Sequence, residues 1–290
     1  MPFPSNLFII GAQKAGTTFL ATLLSQHPDI DLCSPKEPDF FTRHWSKGMD
    51  WYRDRFSDTS KKYLLDASTS YSAAPLTARD NSADVESNPL HGVPERIFSV
   101  SPDARFIYLM RDPVKRTYSS YWHSVRGGYE NRSLDEALQD PRYLEMGHYY
   151  QQLELYYRLF PKERFLVLFF EDFIKSPEAT ANRCFEFLGL DGIDEFSMDG
   201  GKNETYVPGP VLSRVNSTVG KYISLKSVYS AVTRVIPKEF IRTLVSPLIK
   251  PVPSMTEKDR EKLARHFAAQ NRLLETELGL SLPGWTKSSE

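Results

Sequence analysis

Strands and helices alternate over about the first 190 residues of this 290-residue chain, and the alternation predicts a three-layer α/β fold with a central, mainly parallel sheet flanked by helices. Two observations carry the prediction. Short apolar runs bounded by turn residues read as buried strands, the clearest being Arg105-Phe106-Ile107-Tyr108-Leu109-Met110. The first run, Leu7-Phe8-Ile9-Ile10, passes through a loop with glycine at both ends into a helical pattern (Phe19, Leu20, Leu23, Leu24). Strand, glycine loop and helix N-terminus in that order form a device for holding phosphate, because the loop amides turn inward and the first helical N–H groups lack partners.

The elements follow in order. After the first helix, Ile30-Asp31-Leu32-Cys33 reads as a second strand, and Pro35 and Pro38 hold Lys36 and Glu37 in an extended loop. Tyr63-Leu64-Leu65-Asp66 reads as a third strand running into the small polar segment 67–71. Residues 72–95 carry three prolines and read as loop with a short helix. The strand ending at Met110 meets Arg111-Asp112-Pro113, where Asp112 suits an N-cap and Pro113 the first helical turn, and the helix runs to about Arg126 before Gly127-Gly128. A helix over 147–160, a strand over 164–169 and a helix from Ser176-Pro177 to Gly189 complete the alternation. A last helix runs from Thr256, with Asp259 as a weak capping box, to Leu278.

The whole chain is expected to be one domain, 1–290, with about 191–255 a variable insertion on the lid and acceptor side. In that stretch Lys221, Lys226, Arg234, Lys238, Arg242 and Lys250 punctuate an apolar pattern. Two helices packing over the sheet and breaking at Pro237 are the favoured reading, and peripheral membrane contact through 221–250 is the other. The oligomeric state is left open.

Composition narrows the function classes. The chain is 40% hydrophobic and 13% aromatic, enough for a sizeable core, and its formal net charge of −1 gives no global field for nucleic acid. Any anion is met by local Lys and Arg. Two cysteines and six scattered histidines suggest neither a disulfide framework nor a metal site. No apolar run approaches the roughly 20 residues of a membrane span. A first strand starting at Leu7 leaves no room for a signal peptide ahead of it, so the expectation is a cytoplasmic protein, in which the sequons at Asn131, Asn203 and Asn216 carry little meaning.

The loop Gly11-Ala12-Gln13-Lys14-Ala15-Gly16-Thr17-Thr18 is P-loop-like but departs from G-x-x-x-x-G-K-[ST]. Thr17 stands where the lysine belongs, and the lysine has moved inside the loop to Lys14. A kinase or ATPase uses the post-glycine lysine on its β/γ-phosphates. Lys14 instead reaches an anion lying across the loop, with the Thr17 and Thr18 hydroxyls below it. In an open parallel sheet, ligands bind beyond the C-terminal strand ends. Those ends carry Gly11–Thr18, Asp66–Tyr71 and Arg111, and Glu37 follows the second strand, so the candidate chemistry converges on one edge. Arg111 with Ser119, two turns along the next helix, suits a second phosphate. Glu37, followed by Phe40-Phe41, is a candidate general base if its carboxylate lies against aromatic surface. Asp112 can also be read as a magnesium ligand, but the lysine it would work with is displaced.

Together these segments resemble the PAPS-dependent sulfotransferases, the bacterial and heparan-sulfate-type branch in particular. The resemblance rests on the loop 11–18, Lys36-Glu37-Pro38-Asp39-Phe40-Phe41, the block from Arg111-Asp112-Pro113 to Ser119-Ser120-Tyr121, the strand and helix over 166–190 and the terminal Leu282-Pro283-Gly284-Trp285. It implies 3′-phosphoadenosine 5′-phosphosulfate (PAPS) as donor, 3′,5′-ADP as product and no metal. Gly11, Gln13, Lys14, Ala15, Gly16, Thr17 and Thr18 would grip the 5′-phosphosulfate, and Arg111 and Ser119 the 3′-phosphate. Glu37 matches the family's base for in-line attack by an acceptor hydroxyl, and Lys14 would stabilise the leaving phosphate. The heparan-sulfate members carry a lysine after the acid that ends the third strand; this chain has Asp66-Ala67, so no lysine carries over there. A late basic loop over the cofactor has Arg214 or Lys221 as candidates. Phe40, Phe41, Trp45, Asp66, Tyr71 and His123 are the candidates to line the acceptor pocket, for a carbohydrate, lipid or secondary metabolite. Two alternatives remain at this point, a nucleotide-dependent phosphotransferase such as a small-molecule kinase, and a non-enzymatic nucleotide-binding module.

Overall fold

The computed structural model describes residues 5–77, 88–198, 206–208 and 249–287. Its chain order is β1 (Leu7–Gly11), α1 (Thr17–Leu24), β2 (Ile30–Leu32), α2 (Gly48–Arg53), β3 (Tyr63–Asp66), α3 (Val93–Val100), β4 (Arg105–Met110), α4 (Pro113–Arg126), α5 (Leu134–Ala137), α6 (Arg142–Glu145), α7 (Tyr149–Tyr157), β5 (Phe165–Phe169), α8 (Phe170–Phe173), α9 (Pro177–Leu188), β6 (Tyr206–Pro208), β7 (Ile249–Pro251) and α10 (Glu257–Leu278). These residues form two compact units. One comprises 1–117, 140–201 and 257–290; the other comprises 118–139 and 202–256.

The first unit holds a five-stranded sheet in the order β2-β3-β1-β4-β5, with every pairing parallel. The expected α/β fold is therefore present, and its strands fall within a residue of the expected runs. Parallel strands covered on both faces need apolar residues at successive positions rather than at alternate ones. β1 meets that demand along its whole length, with Leu7, Phe8, Ile9 and Ile10 all fully buried. Phe8 stacks on Phe106 of β4 at 5.6 Å between ring centroids and meets Phe41 edge-on at 5.7 Å. Phe106 in turn meets Phe160 and Phe165 at 4.7 Å.

The order places a topological switch between β1 and β4. From β1 the chain crosses to the β2 side, whereas from β4 it moves outward to β5, so the loops after these neighbours part and leave a crevice at their C-terminal ends.

The helix ends follow their local chemistry. Asp112 caps α4, its Oδ1 accepting from the Val114 N–H at 3.0 Å. α9 starts with Pro177 and closes on Gly189, whose φ of 66° is left-handed. The short helices α2, α5, α6 and α8 were not anticipated, because four to six residues show no helical period. α5 nonetheless carried a legible signal: Ser133 and Glu136 form a complete capping box. In the second unit β6 and β7 pair antiparallel, Tyr206 with Pro251 and Pro208 with Ile249. The two helices expected around Pro237, the basic residues from Lys221 to Arg242 and the candidate Arg214 lie outside the described residues. No helix among the described residues is long and apolar enough to cross a membrane.

Candidate active site

The anion loop is shaped by three residues with unusual demands. A Cβ on Gly11 would lie 2.2 Å from Ser72 Oγ and 2.8 Å from the Tyr108 ring, so only glycine lets β1 pass between them. Gly16 is left-handed at φ 86° and forms the N-terminal boundary of α1. Lys14 is left-handed as well, at φ 70°, a conformation unusual for a residue with a side chain. The first bonds of α1 are donated by Phe19 and Leu20 to the Gly16 carbonyl, so the N–H groups of Thr17 and Thr18 precede the helical ladder. Thr17 is buried and Thr18 exposed; Gln13 and Lys14 are half-buried, and Ala15 is buried.

Across the switch, Arg111 closes the other wall. Its Nη1 donates to the Lys14 carbonyl at 2.9 Å, and its guanidinium lies 4.7 Å from the Phe170 ring centroid. Phe170 also lies against Gly16, 3.2 Å from where a Cβ would stand. Burial pulls the Arg111 pKa down from its ordinary value, while Glu171, Tyr149 and Asp112 act the other way. Arg111 Nε is buried and finds no acceptor among the described residues. A guanidinium with a donor unmet among the described residues, bonded to a loop that leads into a helix N-terminus, is suited to an anion, so the residues present fit a phosphorylated nucleotide. Ser119 lies two turns further along α4 and is half-buried.

The Asp112 carboxylate is engaged by donors of the chain itself. It is fully buried, and its Oδ2 accepts from the Thr286 N–H at 3.0 Å and the Thr286 hydroxyl at 2.6 Å. The Asp112 N–H donates to Glu171 Oε1, and Trp285 Nε1 donates to Glu171 Oε2, each at 3.1 Å. The C-terminal segment thus ties the starts of α4 and α8 together beside Arg111. The family-like Trp285 was noticed in the sequence, but its partners are 114 residues away and were not legible there.

Glu37 lies at the same edge, but its surroundings differ from expectation. Phe40 and Phe41 turn into the core, and the carboxylate meets Lys36 instead, with Nζ 2.8 Å from Oε1. Thr69 Oγ1 lies 3.5 Å from Oε2. The Lys36 ammonium also donates to Thr17 Oγ1 at 3.3 Å, which links the loop that carries Glu37 to the first residue of α1. Lys36 and Phe170 were not singled out as site residues. The signal was available, since both sit just beyond C-terminal ends of strands.

Four of the six residues expected to line an acceptor pocket are buried in the core. Phe40, Phe41, Tyr71 and Asp66 are at most 1% exposed. Phe40 stacks on Tyr52 at 4.3 Å, and Asp66 is the hub of a buried network. Tyr52 and Tyr71 donate their hydroxyls to Asp66 Oδ2 and Ser68 donates to Oδ1, all at 2.7 Å. Burial raises the Asp66 pKa to about 6, against the three hydroxyls that favour its charged form. The network braces the loop that carries Glu37: Tyr71 OH accepts from the Phe41 N–H at 3.2 Å, and Ser68 Oγ accepts from the Asp39 N–H at 3.1 Å. Trp45 is half-buried against Phe40 at 5.2 Å. His123 is exposed in the second unit, its Nδ1 2.9 Å from Arg126 Nη2.

Comparison with known proteins adds an independent line. The model of the Sulfotransferase family matches residues 4–195. Heparan sulfate glucosamine 3-O-sulfotransferase 3B1 of Mus musculus is 30% identical over 193 residues, covering 63% of this chain and 45% of that protein. Heparan sulfate glucosamine 3-O-sulfotransferase 6 of Homo sapiens is 31% identical over 204 residues, covering 65% and 53%. The chain thus spans about half the length of these curated relatives. Among solved structures, a sulfotransferase from Alicyclobacillus acidocaldarius covers 97% of this chain and 98% of its own at a TM-score of 0.61; at 24% identity the likeness concerns the fold.

Proposed function

The chain belongs to the Sulfotransferase family, and on that premise we propose that it transfers the sulfuryl group of PAPS to a hydroxyl of a carbohydrate, lipid or secondary-metabolite acceptor. One observation supports this reading above the others. An anion loop with its lysine inside the loop, left-handed at Lys14, faces a carboxylate whose ion-pair partner touches the first residue of α1. A kinase needs its lysine after the second glycine, where this chain has Thr17.

The donor supplies an activated sulfuryl group on a phosphate leaving group; the chain supplies placement, charge and a base. The Thr17 and Thr18 amides and the Lys14 ammonium hold the 5′-phosphate and stabilise charge as it grows on the bridging oxygen. Arg111, whose Nε finds no acceptor among the described residues, holds the 3′-phosphate, a role that the resemblance also gives to Ser119. Phe170, between Gly16 and Arg111, offers the nucleotide an apolar face. Glu37 takes the proton of the acceptor hydroxyl as its oxygen attacks sulfur in line. The names of the curated relatives favour a carbohydrate hydroxyl as the first acceptor to try.

The test is calorimetry with 3′,5′-ADP against Mg-ATP, followed by labelled-PAPS transfer to glycan, lipid and phenol panels. The expected result is a marked preference for 3′,5′-ADP and labelled product that disappears in Glu37→Gln while nucleotide binding stays. Preference for Mg-ATP would refute the proposal, and normal transfer by Glu37→Gln would refute the assignment of the base.

A further inference from the structure

The loop after β2 delivers not only a candidate base but a cation to the same spot. Lys36 Nζ lies 2.8 Å from Glu37 Oε1 and 3.3 Å from Thr17 Oγ1, and its side chain is only 17% exposed against 42% for Glu37. An exposed ion pair between sequence neighbours contributes little to stability and gives a lysine no reason to leave solvent. Nor does it account for the second contact, to a hydroxyl 19 residues earlier at the mouth of the anion loop. The lysine is also held at its backbone, where Cys33 Sγ donates to the Lys36 carbonyl at 3.2 Å. Its ammonium therefore stands between the hydroxyl of the first residue of α1 and the carboxylate of Glu37.

Resting on the sulfotransferase reading above, we propose that Lys36 recognises the sulfuryl end of the donor. The two nucleotides of that reaction share both phosphates and differ only in the sulfuryl group. The loop amides, Lys14 and Arg111 meet what is common to PAPS and 3′,5′-ADP. The group that differs must point from Thr17 toward Glu37, and Lys36 is the cation on that line. When PAPS binds, the ammonium moves its hydrogen bonds from Glu37 to the sulfuryl oxygens and leaves the carboxylate as an acceptor for a proton. In transfer the acceptor oxygen–sulfur bond forms as the sulfur–bridging oxygen bond breaks. The hydroxyl proton goes to Glu37, the electron pair stays on the 5′-phosphate of 3′,5′-ADP, and Lys36 remains protonated throughout. After transfer it returns to Glu37 and Thr17, which makes the site selective for fresh donor over product.

The test compares wild type, Lys36→Met and Lys36→Arg, full chain, in calorimetry with 3′,5′-ADP and with PAPS in the absence of acceptor. Lys36→Met is expected to bind 3′,5′-ADP within about twofold of wild type and PAPS roughly tenfold to hundredfold more weakly, the loss of one charge-assisted contact. Lys36→Arg, which keeps the charge, should recover most of the PAPS affinity. Equal weakening of both nucleotides in Lys36→Met would show a loop prop rather than a sulfuryl contact and overturn the inference. Unchanged affinity for both would overturn it too. A wild-type chain that binds neither nucleotide would instead overturn the sulfotransferase reading beneath it, so the two failures are told apart.

Discussion

Lys14 gives the sharpest test, because its backbone and its side chain pull stability and function apart. At φ 70° the residue sits where an L-amino acid is disfavoured by about 1–2 kcal/mol and glycine is not. Glycine gives back about 0.5–1 kcal/mol through the extra freedom of the unfolded chain. Lys14→Ala and Lys14→Gly both remove the ammonium and every contact it makes, so the comparison between them isolates the backbone. Lys14→Gly should therefore be the more stable of the two by about 1 kcal/mol, or roughly 2–4 °C in Tm for a chain of this size. Calorimetry with 3′,5′-ADP should find both variants weaker than wild type by roughly tenfold to hundredfold, since both lose the same charged contact. A Lys14→Ala protein as stable as Lys14→Gly would refute the argument that the loop stores strain at this residue. A Lys14→Ala protein that bound 3′,5′-ADP as wild type does would refute the placement of the ammonium at the phosphate.

Three further outcomes are expected. Thr286→Ala removes a 2.6 Å hydrogen bond to the buried Asp112 carboxylate, and should lower stability by about 1.5–3 kcal/mol in urea unfolding while weakening 3′,5′-ADP through the turn that carries Arg111. Gly11→Ala drives a methyl group into Ser72 and Tyr108, and should destabilise the fold by about 1–3 kcal/mol, with partial rescue in the double variant carrying Ser72→Ala. His148 has its pKa lowered to about 4, chiefly by burial and then by His266, whose Nε2 lies 2.9 Å from its own; Glu145 raises it and Arg116 lowers it further. The unfolded chain therefore takes up this proton near pH 6.5 and the folded chain only near 4, so the contribution of His148 falls as pH drops through that window. Asp66, raised to about 6, acts with the opposite sign between about 6 and 4, because its folded form takes up the proton first. Urea midpoints from pH 6.5 to 4.5 should show wild type losing stability relative to His148→Gln; parallel curves would refute the assignment.

Most of the fold could be read from residue order, because its signals are local. Apolar runs marked the five strands of the sheet, and Asp112-Pro113 and Gly189 marked helix ends through capping chemistry that acts within one turn. The strand, glycine loop and helix start at 7–24 were legible for the same reason, since they are consecutive in the chain. Even the displacement of the lysine to position 14 is a fact of spacing. What the sequence could not settle was which side chains face inward. Phe40, Phe41 and Tyr71 were pocket candidates because aromatic side chains suit sugar, acyl chain and phenol alike, and Asp66 because it ends the third strand at the ligand edge. Packing turns them inward: a carboxylate with three hydroxyl donors, and aromatic rings with partners at 4.3–5.7 Å, find their partners inside the core. Conversely, the 3.3 Å reach of Lys36 to Thr17 and the hold of Thr286 on Asp112 join residues 19 and 174 positions apart. Local propensity determined where the loop and its lysine lie; the tertiary fold decided which distant side chains stand beside them, because only packing brings separate strand ends and the segment around Thr286 together.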